Sequence, residues 1–280
     1  MKHPFDRRLK AWRTLLWLVG ASAVALSGAC SRQTAATPPW INRFGMTFVS
    51  VPPGTLRIGN DSKRDEAPAH PVEFRSPVWI QSTEVTQDQW TAVMGTAPWT
   101  RLPEVREAGR FPAVHMSWRT ARAFIDKLNA LDPGHGYRLP SEAEWERVCR
   151  AAGADLQSDG NDRSPLGDYA WFDENAGRAG ERFAHAVALK KPNALGVYDI
   201  RGNVWEWCED NYRDGYQDAP TDGGPRLLKD VFSHVYRGGG WNSPARSASC
   251  TERAGLDEDD HSPAIGLRVA ASRLESSPQR

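Results

Sequence analysis

Alternating apolar and polar residues recur in short stretches along the chain and predict β-strands. The first alternating stretch ends at a Pro-Pro-Gly turn, and most others are bounded by charged or glycine-containing segments. The strand-like stretches are 44–54, 56–59, 72–74, 78–81, 137–140, 235–241 and 265–270. None is long enough for a large regular sheet, so a core of several short strands is predicted.

Helices are predicted where periodic apolar residues follow a capping residue. Thr86 and Ser141 are each followed three residues later by Gln or Glu, which is the spacing of a capping box. Ser117 precedes a third amphipathic stretch. Short strands, helices and long loops indicate an α+β domain. No repeat or linker interrupts residues 44–273, so one domain is expected there.

The first 29 residues have the pattern of an export signal. A basic region precedes an uncharged apolar run at 15–26, which is too short to span a bilayer comfortably. Residues 23–25 suit cleavage by ordinary signal peptidase. Residues 26–30 resemble a bacterial lipobox, in which Cys30 would be lipidated.

An uncleaved membrane anchor is the remaining alternative for this segment. Every one of these interpretations places the folded part outside the cytoplasm, in the periplasm, with a lipid anchor as an option. Residues 30–43 are interpreted as a tether and residues 274–280 as a tail.

Composition narrows the class of protein. The chain has 12 Trp, 24 Gly and 20 Pro, which suits a loop-rich domain pinned by aromatic side chains rather than a helix bundle. The formal net charge is zero, and −4 without the first 29 residues. No Lys/Arg tract marks a nucleic-acid surface, so no nucleic-acid partner is expected. We expect a monomer.

One stretch, Tyr198–Cys208, combines a Gly202-Asn203 turn with two separated carboxylates, Asp199 and Glu206. Loop carbonyls between two carboxylates suit a hard cation such as calcium. A turn with solvated charges is the alternative interpretation of the same residues.

In order along the chain, the motifs resemble the formylglycine-generating enzyme family, also called the sulfatase-modifying factor domain. They are Met46–Val49 with Pro53-Gly54, Glu84–Trp90, Phe111–Trp118, Tyr137–Glu146, Asn193–Trp207, Arg237–Trp241 and Gly266–Arg268. The resemblance implies a compact, C-type-lectin-like α+β fold with much irregular structure. It also implies a structural calcium ion bound by Asp199, the carbonyls of Gly202 and Val204, and Glu206.

The resemblance breaks at the residues that carry the family's chemistry. Enzymes of this family oxidise a substrate cysteine with two cysteines that bind Cu(I), and thiolates suit that soft ion. Here Ser243 and Ala248 stand at those positions, and Cys250 alone is not a pair. No copper is therefore expected, and formylglycine generation becomes an alternative rather than the leading hypothesis.

The remaining cysteines leave the disulfide pattern open. Cys208 and Cys250 lie near the presumed cleft, and a Cys208–Cys250 bridge is expected in an oxidising compartment. Cys149 matches a family disulfide position, but Val269 stands where its partner is expected. Three separate buried thiols are the alternative.

Candidate catalytic residues lie in the acidic segment Asp257–His261, which in the family lines the active cleft. Glu258 and Asp260 would act as general base and His261 as proton shuttle, and a solvated acidic loop is the alternative. The candidate substrate-binding residues are Trp241, Asn242, Ser243 and Arg253. Three other histidines, His70, His115 and His234, are interpreted as loop or packing residues.

The resemblance also suggests a function. Exported members without the copper pair include one that acts in the maturation of the siderophore pyoverdine, by oxidising dihydropyoverdine. The leading hypothesis is therefore a periplasmic oxidoreductase whose substrate is a small molecule or peptide, such as a siderophore precursor. Its electron acceptor is unknown. A non-catalytic binding or accessory module of the cell envelope is the main alternative.

Overall fold

The computed structural model describes residues 37–151 and 166–272, so the predicted signal, Cys30 and the tail lie outside the described residues. The strands are β1 (Trp40–Ile41), β2 (Thr47–Val51), β3 (Gly54–Ile58), β4 (His70–Phe74), β5 (Val78–Gln81), β6 (Tyr137–Arg138), β7 (Trp205–Asn211), β8 (Ser233–Arg237), β9 (Arg253–Asp257), β10 (Ile265–Leu267) and β11 (Ala270–Ala271). The helices are α1 (Gln87–Met94), α2 (Trp118–Leu131) and α3 (Glu142–Arg150). The α+β class is confirmed.

The strands form a five-stranded sheet, a four-stranded sheet and a two-stranded hairpin. The five-stranded order is β1-β2-β5-β11-β6, the four-stranded order is β10-β7-β8-β9, and β3 pairs with β4. β10 runs parallel to β7, whereas the other paired strands are antiparallel. Although β10 and β11 nearly follow each other, they belong to different sheets, so the end of the described chain joins the two.

The helices begin at the predicted capping residues. Thr86 and Ser141 each form a complete capping box, and the Ser117 hydroxyl accepts a hydrogen bond from the Thr120 N–H. These bonds satisfy N–H groups that have no partner inside the helix. Within residues 37–151 and 166–272, no helix is long and apolar enough to cross a membrane.

Three segments depart from the sequence prediction. Trp40–Ile41 pairs with β2, so the folded domain begins inside the predicted tether 30–43. Arg253–Asp257, predicted as loop, forms β9 on the edge of the four-stranded sheet. Strand-type residues flank the Gly202-Asn203 turn on both sides, but β7 begins only at Trp205, because Asp199 and Asn203 adopt left-handed backbone conformations that interrupt pairing.

The core contains large aromatic side chains and also large charged side chains. Trp90, Trp145 and Trp207 are fully buried, as the high tryptophan content suggested. Arg237 and Arg268 are equally buried, and each is paired with buried carboxylates. Buried charges of this kind must be paired, so these arginines fix the loops around them in one arrangement.

Candidate functional site

An aromatic surface lies on one face of the four-stranded sheet. Trp205 and Trp207 project from β7, and their rings meet the Tyr236 ring edge-on at centroid distances of 5.0 and 5.7 Å. Trp207 is fully buried, whereas Trp205 and Tyr236 are half-buried. Two rings are therefore accessible at the edge of the core, where a planar ligand could pack against them.

Ser243 holds the Trp205 ring in place. Its hydroxyl oxygen accepts hydrogen bonds from Trp205 Nε1 at 3.0 Å and from the Gly240 N–H at 3.2 Å. Two donors on one hydroxyl, with no base bonded to it, fit a positioning role rather than that of a nucleophile. Ala248, at the second expected copper position, is buried and offers only a methyl group.

The predicted substrate-binding neighbours of Ser243 differ in access. Asn242 is exposed, so it can contact a ligand, but Trp241 is buried in the core and its Nε1 lacks a partner among the described residues. The Trp241 ring is therefore part of the packing under the site.

The three predicted catalytic residues are not brought together as one group. Glu258 is buried and forms a short ion pair with Arg119 at the start of α2, and its other oxygen lies 3.9 Å from His234 Nε2. Asp260 is exposed to solvent. His261 packs instead on the ring of His115, at a centroid distance of 4.2 Å.

His234 and Trp118 are site residues that the sequence analysis did not assign. Their rings stack at 3.5 Å, and Asn211 Nδ2 donates to His234 Nε2 at 3.4 Å. Burial, with the nearby Arg119 and Arg122, lowers the pKa of His234 to about 4. The ring is therefore neutral at pH 7. The weak sequence signal was a histidine at an inward position of a strand, which is equally common in packing.

Arg253 is not available to a substrate. It is buried in β9, donates to both oxygens of Glu142 at 2.7 and 2.8 Å, and lies against the rings of Tyr212 and Tyr216. The substrate-binding prediction for Arg253 is wrong, because an interior carboxylate already takes both prongs of the guanidinium.

The predicted calcium ligands also have other partners. Both oxygens of Glu206 accept hydrogen bonds from Arg268, and one also accepts from Trp145 Nε1. Asp199 accepts from the Ala188 N–H at 2.7 Å through one oxygen, while its other oxygen is buried and unpartnered. Glu206 is therefore engaged in an ion pair with Arg268. Of these two carboxylates, only Asp199 keeps an oxygen without a hydrogen-bond partner among the described residues.

Excess negative charge surrounds this free oxygen. Glu84 is fully buried, accepts from Asn203 Nδ2 at 3.1 Å, and has one oxygen without a partner. Burial and the nearby Asp199 raise the pKa of Glu84, and burial raises the pKa of Asp199 to about 6. In the described part of the chain, no three Asp, Glu, His or Cys side chains form a group that could hold a metal ion.

The disulfide differs from the predicted one. Cys149 of α3 is bonded to Cys250, which lies just before β9, and Cys208 is a free buried thiol. The Cys208–Cys250 prediction is wrong. All three thiols lie in one core cluster, where α3 packs on β7 and β8 and brings Cys149 to Cys250.

These features define a loop-rich α+β domain of the formylglycine-generating-enzyme fold. The chain belongs to the sulfatase-modifying factor enzyme 1-like domain family, whose profile matches residues 39–273.

Individual relatives differ in how much they share with the chain. Bovine (Bos taurus) formylglycine-generating enzyme is 31% identical over 219 residues, which cover 71% of this chain and 54% of the enzyme. The chain thus spans about half the length of that relative. The chaperone protein LppX of Paenibacillus barcinonensis is 25% identical, covering 95% of this chain and 100% of LppX. The structure of PvdO from Pseudomonas aeruginosa matches with a TM-score of 0.74 and 27% identity, covering 84% of this chain and 98% of PvdO.

Proposed function

We propose that this protein is an exported oxidoreductase of siderophore maturation that oxidises the dihydropyoverdine chromophore or a closely related ring. The observation that carries the proposal is the match to PvdO of Pseudomonas aeruginosa, which includes nearly all of that chain. The family resemblance adds that a copper-free exported member acts in pyoverdine maturation. The serine and alanine at the copper positions favour this activity over formylglycine generation.

The aromatic surface fits the proposed substrate. A dihydroxyquinoline-type ring is planar, and the half-buried rings of Trp205 and Tyr236 offer a surface on which it can stack. Oxidation of such a ring removes two electrons and two protons. We assign uptake of these protons to Glu258, which Arg119 fixes in position, and to His261, which is exposed in the loop before β10. The electron acceptor comes from outside the protein.

The test is incubation of the purified protein with dihydropyoverdine, with chromophore absorbance as the measurement. We expect absorbance to increase, and Glu258→Gln to slow the increase by about 100-fold, because a positioned general base contributes about that much. Asp259→Asn is the matched control, since Asp259 is exposed in the same loop and pairs with the same Arg119 at 3.1 Å. No absorbance gain, even after addition of periplasmic extract, would end the proposal.

A non-catalytic accessory role is the second candidate. It is favoured by the match to the chaperone LppX, which extends over the whole of that protein. Under this alternative, Glu258→Gln and His261→Gln would leave biological function intact, whereas truncation of the half-buried Trp205 side chain would abolish it.

We also propose that the Asp199 loop binds a structural calcium ion in the exported protein. Support comes from the unpartnered oxygens of Asp199 and Glu84, which lie in a region with three carboxylates and one guanidinium. Asp199 and the Gly202 and Val204 carbonyls would be ligands, and Glu206 would support the loop through Arg268. We expect 1 mM CaCl₂, roughly an extracellular level, to raise the melting temperature of the wild-type protein but not of Asp199→Asn. Asn suits the left-handed backbone at this position, so an equal rise in both proteins would exclude the site.

A further inference from the structure

Two histidines far apart in the sequence form a ring pair beside the candidate site. His115 lies just before α2, and His261 lies in the loop that leads to β10. Their ring centroids are 4.2 Å apart, with 44° between the ring planes. The His115 N–H donates to the carbonyls of Ser262 and Ile265, at 3.1 and 3.2 Å, which fixes the two segments against each other.

His115 combines an uncommon backbone conformation with an enclosed ring nitrogen. Its backbone is in the left-handed region, at φ 63°, which a residue with a Cβ rarely adopts without compensation. Its Nδ1 atom is enclosed and has no hydrogen-bond partner among the described residues. The Nδ1 atoms of His135, His185 and His234 are enclosed in the same way, but their rings stack on tryptophans, whereas the ring of His115 faces a second imidazole.

The distance between the rings suits two ligands of one ion. With nitrogen–metal bonds of about 2.0–2.1 Å and a right angle between them, as in square-planar or octahedral coordination, two imidazole ring centres lie roughly 4.5 Å apart. His261 is exposed and His115 is half-buried, so an ion from solvent can reach the pair.

We propose that His115 and His261 bind a divalent transition metal such as Ni²⁺ or Cu²⁺. Imidazole suits these ions, whereas calcium and magnesium prefer oxygen ligands. No third side chain of the described residues completes a closed site, so the remaining coordination positions are open to water or to an added ligand. This site is separate from the calcium loop, and it is expected whether or not the protein oxidises a siderophore precursor.

The test is Ni²⁺ titration of the purified, untagged protein by calorimetry, with Cu²⁺ electron paramagnetic resonance to count nitrogen ligands. We expect one saturable site and a spectrum with two imidazole nitrogens. His261→Gln and His115→Asn should each weaken binding at least about tenfold, because each removes one of two ligands. Asn is chosen at His115 because it tolerates the left-handed backbone.

His70→Gln is the matched control, because His70 lies elsewhere, in β4, and its variant should bind as the wild type does. His261 is exposed, so its replacement leaves the fold intact and the result can be interpreted. The proposal is overturned if the wild-type protein shows no saturable binding up to about 1 mM Ni²⁺, a weak-affinity limit, or if His261→Gln binds as tightly as wild type.

Discussion

At the residue scale, the polar side chains of the site are held by packing and by single hydrogen bonds. Ser243 fixes Trp205, Arg119 fixes Glu258, and the Trp118 ring covers His234. The family resemblance implied that the Asp257–His261 segment lines the cleft, and its acidic residues and histidine made it a candidate for catalysis. These signals could not predict that Glu258 and His261 turn to different neighbours, because those neighbours belong to α2 and to the segment before it.

His234 gives the first prediction at this scale. Its pKa is about 4 in the folded protein and near 6.5 when unfolded, so the folded state binds fewer protons between these values. The stability that the neutral ring contributes is present above pH 6.5 and is lost as pH falls toward 4. We expect the wild-type melting temperature to fall over this range more steeply than that of His234→Gln.

The comparison must consider the other groups around the ring. Glu258, Arg119 and Arg122 face His234, and all three are retained in both proteins, so the difference between the two pH profiles reports on the His234 ring. Gln keeps an acceptor for Asn211. Parallel pH profiles for the two proteins would show that His234 does not titrate in this way.

At the element scale, the start of α3 connects several parts of the fold. Ser141 caps the helix and donates its hydroxyl to the Gly223 carbonyl at 2.7 Å. The Glu142 N–H donates to Asp210 at the end of β7, while the Glu142 carboxylate binds Arg253 of β9. One turn of helix therefore ties together the loop 211–232 and the edge of the four-stranded sheet.

Ser141→Ala is the second prediction. It removes the cap and one partner of a buried carbonyl, so we expect a loss of about 1–2 kcal/mol in the free energy of unfolding. Thr86→Ala, at the similar cap of α1, is the control. Thr86 has no comparable hydroxyl bond to a distant loop, so its loss should be smaller, and urea unfolding measures both. Equal losses would assign the whole effect to capping.

The elements that the sequence predicted are those whose signals are local. The capping boxes at Thr86 and Ser141 and the alternation in 44–54 depend on residues within a few positions of each other. β9 was missed because Arg253 and Gly255 break alternation, and because Arg253 is buried through Glu142, which is 111 positions away. Single-sequence patterns contain no information about such pairs.

At the scale of the whole molecule, distant parts of the chain are connected by the Cys149–Cys250 disulfide and by the successive strands β10 and β11, which belong to different sheets. The fold class followed from the mixture of short strands and helices, and the family followed from the order of its motifs. The cysteine pairing did not follow, because three thiols near one another in a core permit several bridges and only the packing of α3 decides between them.

The disulfide gives the third prediction. Cys149 and Cys250 are 101 positions apart, and closing a loop of that length stabilises the protein by about 2–5 kcal/mol. We expect reductant to lower the melting temperature of the wild type and of Cys208→Ala, but not of a protein with Cys149→Ala and Cys250→Ala together. Thiol labelling of the unfolded, unreduced protein should modify Cys208. Labelling of Cys149 or Cys250 there would contradict this pairing.

The placement of the last two strands affects the order in which the protein can form. β10 completes the four-stranded sheet beside β7, and β11 lies between β5 and β6 in the other. Neither sheet can be completed until residues 265–271 have left the ribosome. Both sheets therefore stay incomplete until almost the whole chain has been synthesised. A stop codon just before Ile265 would remove one strand from each of the two sheets, not only from one of them.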